Sequence, residues 1–200
     1  IPLGEGGMGE VYKGRCVDER TGYSRNVAVK KLKAVHSGNP YVIEKARREA
    51  FIRFKHENLV EMLGFIETET RSTFDYNPIR NYYVVSELLQ GVSLDDLLKG
   101  KFTDQKDNYI PFAEKLFKEY QQNSVRFAIR IVKSVLSGLM FMHDAGYIHR
   151  DIDPTNIMIT SDGRIKLIDY GVAKKIAALT TNDKLLSIAG DFMGKPEYAS

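Results

Sequence analysis

Six short segments, in one order, constrain this chain more than its bulk composition does. They are Gly4-Glu5-Gly6-Gly7-Met8-Gly9, Val27-Ala28-Val29-Lys30, Glu49, His149-Arg150-Asp151 with Asn156, Asp169-Tyr170-Gly171, and Gly194-Lys195-Pro196-Glu197-Tyr198. Without a Cβ at Gly4, Gly6 and Gly9, backbone N–H groups can approach anionic oxygens. A dinucleotide-binding turn of this spacing would open a helix; residues 10–15 read instead as a strand. Period-two alternation at 27–30 puts Ala28 and Lys30 on one strand face and Val27 and Val29 on the other. In the fourth segment, the Asp151 carboxylate can orient a hydroxyl and accept its proton. Five residues on, the amide oxygen of Asn156 can bind a hard cation, and the apolar run 157–159 anchors the loop to a buried strand.

The elements around these segments follow from local signals. A turn at 18–22 leads to a strand over 26–32. Asn39-Pro40 starts a helix over about 41–54, Asn as cap and Pro at the first position, with Glu44–Arg48 and Lys45–Glu49 as i,i+4 pairs. Residues 59–67 and 82–86 read as strands, with a polar loop over 68–80. Ser93 caps a short helix over 94–98, and residues 99–122 give no clear pattern. Ser124 caps a long helix running to about Asp144, stopped by Gly146. Strands at 157–159 and 165–168 flank a turn at Ser161-Asp162-Gly163.

Taken together, the six segments resemble the signature set of eukaryotic-type protein kinases, Ser/Thr branch, and the catalytic-loop variant points to a bacterial member. The resemblance covers nearly the whole chain. It implies an α+β, two-lobed fold, with a β-rich small lobe over 1–87, a hinge over 88–91, and part of a mainly helical large lobe over 92–200. The helices that usually complete the large lobe are not in the sequence, so the chain reads as C-terminally truncated. The implied reaction is transfer of the ATP γ-phosphoryl group to a protein Ser/Thr hydroxyl with Mg²⁺. By the same resemblance, Leu3, Gly4, Gly6, Gly9 and Val11 cover the nucleotide and Ala28 packs on the adenine. Lys30 contacts the α/β-phosphates and pairs with Glu49, Glu44 being second choice. Glu87 and Leu89 make the adenine edge contacts, Ser86 controls the back of that pocket, and Met158 is its floor. Asp151 is the catalytic carboxylate, and Asn156 and Asp169 hold the metal. His149 reads as a packed core histidine.

Several positions depart from the family pattern. Tyr170 replaces the usual Phe, and its hydroxyl needs a partner. One turn past Glu49, Arg53 sits where an apolar residue is expected, so Ile52 or Phe54 takes that place. Asp153 stands where Ser/Thr kinases carry Lys, and Lys195 where they carry Thr or Ser. A swapped Asp153–Lys195 ion pair near the γ-phosphate accounts for both changes; loss of activity is the alternative. Asp191 could pair with Arg150 in place of a phosphorylated Thr, and Thr180, Thr181 and Ser187 remain as modification sites.

Composition sets the outer limits. Hydrophobic residues make up 43%, enough for a packed core. With 29 basic and 26 acidic residues the charge is nearly balanced, which argues against a nucleic-acid partner. The single cysteine, Cys16, cannot close an internal disulfide, and a reducing, cytoplasmic setting fits. No apolar run is long enough to span a bilayer. Two other functions stay open: a pseudokinase that binds nucleotide or partners without catalysis, and a small-molecule phosphotransferase. Lys30, Asp151, Asn156 and Asp169 argue against the first; the Pro196-Glu197-Tyr198 segment, resembling a peptide-docking loop, argues for a protein substrate.

Overall fold

The computed structural model describes residues 1–7, 9–70, 79–104, 107–170 and 173–175. They form two compact units. The first holds Ile1–Arg53 and Glu61–Leu89; the second holds Phe54–Val60, Gln90–Thr103 and the described residues from Asn108 on.

The first unit is a five-stranded antiparallel sheet with one long helix. Its strands are β1 (Pro2–Glu5), β2 (Gly9–Val17), β3 (Ser24–Leu32), β4 (Met62–Thr70) and β5 (Ile79–Glu87), in the order β1-β2-β3-β5-β4. At the start of β2, β3 lies too close for a side chain on Gly9: a Cβ would meet Lys31 O at 2.4 Å. Helix α1 (Pro40–Phe51) begins as expected, with Asn39 Oδ1 accepting from Tyr41 N at 3.0 Å and Val42 N at 3.4 Å. It stops earlier than expected, at Ile52, whose extended backbone returns its N–H to Glu49 O. Strand β4 also starts later than the apolar pattern suggests, at Met62, because residues 58–60 bond elsewhere.

The second unit is helical with small sheets. Strand β6 (Gly91–Ser93) leads into α2 (Leu94–Leu98), capped by Ser93 Oγ accepting from Asp96 N. Helices α3 (Pro111–Gln122) and α4 (Ser124–Asp144) follow. Asn123, not Ser124, caps α4, its Oδ1 accepting from Arg126 N at 2.9 Å. The same residue closes α3 through its own N–H on Glu119 O, so one residue serves both helix ends. The remaining strands are β7 (Tyr147–Ile148), β8 (Ile157–Thr160), β9 (Ile165–Leu167) and β10 (Lys174–Lys175). They form a β6-β8-β9 sheet and a β7-β10 pair. Phe127, Ile131, Val135, Gly138 and Met142 make the buried stripe of α4, the spacing of an amphipathic helix packed on a core.

Residues 58–60 belong to that core. Leu167 N donates to Asn58 O (2.8 Å) and Val60 N donates to Leu167 O (3.0 Å). Asn58 Nδ2 donates to Ile165 O and the buried Lys166 Nζ to Leu59 O, both at 2.9 Å. This strap supplies the partners that its buried backbone requires. Among the described residues no helix is long and apolar enough to cross a membrane.

Candidate functional site

In the first unit, the sheet register brings the nucleotide candidates onto one face. Ala28 lies opposite Ser86, and Lys30 opposite Val84 on one side and Val11 on the other. The alternation read from sequence holds: Val27, on the opposite face, is buried. Lys30 Nζ lies 3.6 Å from Glu49 Oε1 on α1. Glu49 is 5% exposed, which singles it out from Glu44, an exposed partner of Arg48. The glycine turn closes through Gly6 N on Gly9 O at 2.8 Å. At the end of β5, Glu87 Oε1 accepts from Glu61 N and Glu87 N donates to Glu61 O, both at 2.9 Å. These two bonds fix the chain just before Leu89.

In the second unit, β7 ends in the loop that carries His149, Asp151 and Asn156. Arg150 adopts a left-handed backbone (φ 71°), as does Asp169 (φ 63°). Non-glycine residues occupy this region at a cost and concentrate at functional sites. Asn156 Nδ2 donates to Asp151 Oδ2 at 3.0 Å and to Asp151 O at 3.1 Å. Asn156 O accepts from Ile168 N at 2.9 Å, next to Asp169. The loop thus ties Asp151, Asn156 and the Asp169 segment together. Met158 lies on β8, opposite Ser93 and Lys166.

His149 is 1% exposed, and its Nδ1 accepts from Asp151 N. Burial holds its imidazole below the usual range, against the opposing pull of Asp169, the Ile168 backbone, Asp151 and Asp153. The folded chain therefore keeps His149 neutral where an unfolded chain would protonate it. Stability from this residue is full above about pH 6.5 and falls as pH drops below it, because only the unfolded state gains the proton there. Urea midpoints measured on either side of that pH should show a fall that His149→Gln reduces.

Tyr170 is buried, and its hydroxyl donates to Val60 O at 2.8 Å. The extra oxygen of this family variant thus has a partner inside the core. Phe54 packs edge-on against Tyr170 (5.7 Å between ring centres), Tyr147 and Phe141. Ile52 and Phe54 are both buried, while Arg53 turns its guanidinium to Leu63 O. Asn58, Val60 and Lys166 were not legible as site supports. A polar loop (His56-Glu57-Asn58) was the only sequence signal for the strap. Asp153 is 3% exposed and folded into its own loop, its Oδ1 accepting from Thr155 N at 2.6 Å. Lys195, Asp191, Thr180, Thr181, Ser187 and the Gly194–Tyr198 segment lie outside the described residues.

Residues 2–200 match the family described as protein kinase domain. The chain belongs to that family. It is 30% identical over 200 residues to the serine/threonine-protein kinase PknA of Mycobacterium tuberculosis, covering 98% of this chain and 38% of that protein. It is 31% identical over 190 residues to the serine/threonine-protein kinase PknB of Mycobacterium leprae, covering 94% and 26%. A tyrosine-protein kinase of Myxococcus xanthus, MasK, is 29% identical over 203 residues, covering 96% and 27%. The chain thus spans well under half the length of these relatives.

Proposed function

We propose that this domain transfers the γ-phosphoryl group of ATP to a protein Ser/Thr hydroxyl. The observation that carries the reading is the hydrogen-bonded Asp151–Asn156 pair, in the same loop network as Asp169. The bonds from Asn156 Nδ2 leave its side-chain amide oxygen, Oδ1, as the cation-binding atom. With the Asp169 carboxylate it offers hard oxygen donors, which suit Mg²⁺; such a site is completed by phosphates and water. When bound, Mg²⁺ would neutralise charge on the β- and γ-phosphates.

The chain's own residues do the rest. Asp151 orients the substrate hydroxyl and accepts its proton. Lys30, held by Glu49, binds the α/β-phosphates. Gly4, Gly6 and Gly9 offer backbone N–H groups to phosphate, with Leu3 and Val11 beside them. Ala28, Ser86, Glu87, Leu89 and Met158 bind the adenine. Lys195 would add positive charge near the transferred phosphate. Removing one preorganised charge of this kind costs about 10²–10³ in rate, so Lys30→Met should lower kcat/KM for ATP by roughly 10²-fold.

The test is transfer of label from γ-labelled ATP to protein in Mg²⁺, followed by identification of the modified residue. Label on Ser or Thr supports the proposal; label on Tyr corrects the acceptor. Asp153, in place of the family's Lys, favours a second reading, a nucleotide-binding pseudokinase. Tight ATP binding with no transfer would establish it.

A further inference from the structure

The inward turn of Asp153 gives it a use that an ion pair does not require. Its Oδ1 accepts from both the N–H and the hydroxyl of Thr155, capping the 3₁₀ turn Pro154–Asn156. The turn closes with Asn156 N on Asp153 O at 3.0 Å. Asn156 then holds Asp151 through two bonds and the residue before Asp169 through a third. The carboxylate therefore stands at the head of a short hydrogen-bond chain that reaches Asn156, Asp151 and Ile168, the residue before Asp169. A lysine at this position has no acceptor and could not make the cap.

We infer that Asp153 is a positioning residue: it fixes Asn156, and through it Asp151, by accepting hydrogen bonds from Thr155 rather than by its charge. The consequence for catalysis rests on the kinase reading; the cap itself does not. A cap needs an acceptor oxygen, which Asn and Ser also supply. An ion pair with Lys195 needs a negative charge, which they lack. The neutral variants therefore separate the two roles.

The test compares Asp153→Ala, Asp153→Asn and Asp153→Ser in the full-length chain. Amide hydrogen exchange at Asn156 and Ile168, Mn²⁺ binding in the presence of ADP, and kcat against KM are measured for each. Loss of an N-cap is worth about a factor of ten. Asp153→Ala should therefore speed exchange at Asn156 by roughly tenfold and weaken Mn²⁺ binding by a similar factor. It should lower kcat more than the KM for protein substrate. Asp153→Asn and Asp153→Ser should stay within about threefold of the parent in all three. If Asn and Ser fall as far as Ala, charge is what matters and the inference fails; it fails too if Ala matches the parent. Should Ala not fold, Asn and Ser decide by the same criteria. A parent that shows the exchange and Mn²⁺ pattern but no transfer would overturn the kinase reading and leave the cap standing.

Discussion

Asp151→Asn is expected to slow γ-phosphoryl transfer by about 10³-fold, within the range for losing a positioned proton acceptor. The substitution keeps the side chain's shape, and the new amide oxygen can still accept from Asn156 Nδ2, as Asp151 Oδ2 does at 3.0 Å. The loop should therefore hold, and nucleotide affinity should change little. What disappears is the carboxylate proposed to take the hydroxyl proton. Single-turnover transfer of label and a separate nucleotide titration distinguish these effects. Loss of both would mean that the loop collapsed; retention of half the rate would remove Asp151 from its role. Such a retained rate would move the search to the other carboxylate of the network, Asp169.

Leu59→Ala should destabilise the second unit by roughly 3 kcal/mol, within the range for emptying a fully buried leucine site. Leu59 is 0% exposed. It sits against Gly138 of α4, where an added Cβ would meet Leu59 Cδ2 at 2.9 Å and Asn58 O at 3.2 Å. Its backbone pairs with Leu167, and its carbonyl receives the buried Lys166 Nζ. The void therefore opens beside the strap that holds residues 165–167, and the fixed backbone of Asn58 limits collapse into it. Gly138→Ala alone meets a clash, whereas in a Leu59→Ala background the same methyl enters the void. The double variant should be more stable than the sum of the two losses predicts. Urea denaturation of the four chains measures this; strict additivity would show that the two sites do not share a packing contact.

The parts of the site that were legible are those written into single short segments. Lys30 and Ala28 share a face because strand side chains alternate, and Glu49 was placed by the resemblance. Asn39 and Ser93 cap their helices because a short polar side chain just before a helical run has nearby N–H groups to accept from. Where two such residues are adjacent the signal is ambiguous. Asn123 caps α4 in preference to Ser124, because the end of α3 fixes where the second helix begins. The helix α3 itself had no clear pattern, and its buried residues, Ala113 and Leu116, make a narrow stripe.

By itself the sequence determined the family, from six segments taken together, and the strands and helix of the small lobe and the acidic and amide residues of the loop, which depend on neighbours a few positions away. Tertiary structure decided what holds those residues in place. The strap at residues 58–60 depends on partners such as Ile165, Lys166 and Tyr170, over a hundred positions along the chain. Tertiary packing also decided that Phe54 meets the Tyr170 ring and that the Asp153 carboxylate turns inward to cap its own loop. The physical reason is burial. A polar group that leaves water must find a partner in the folded chain, and which partner is within reach is settled only when distant segments pack.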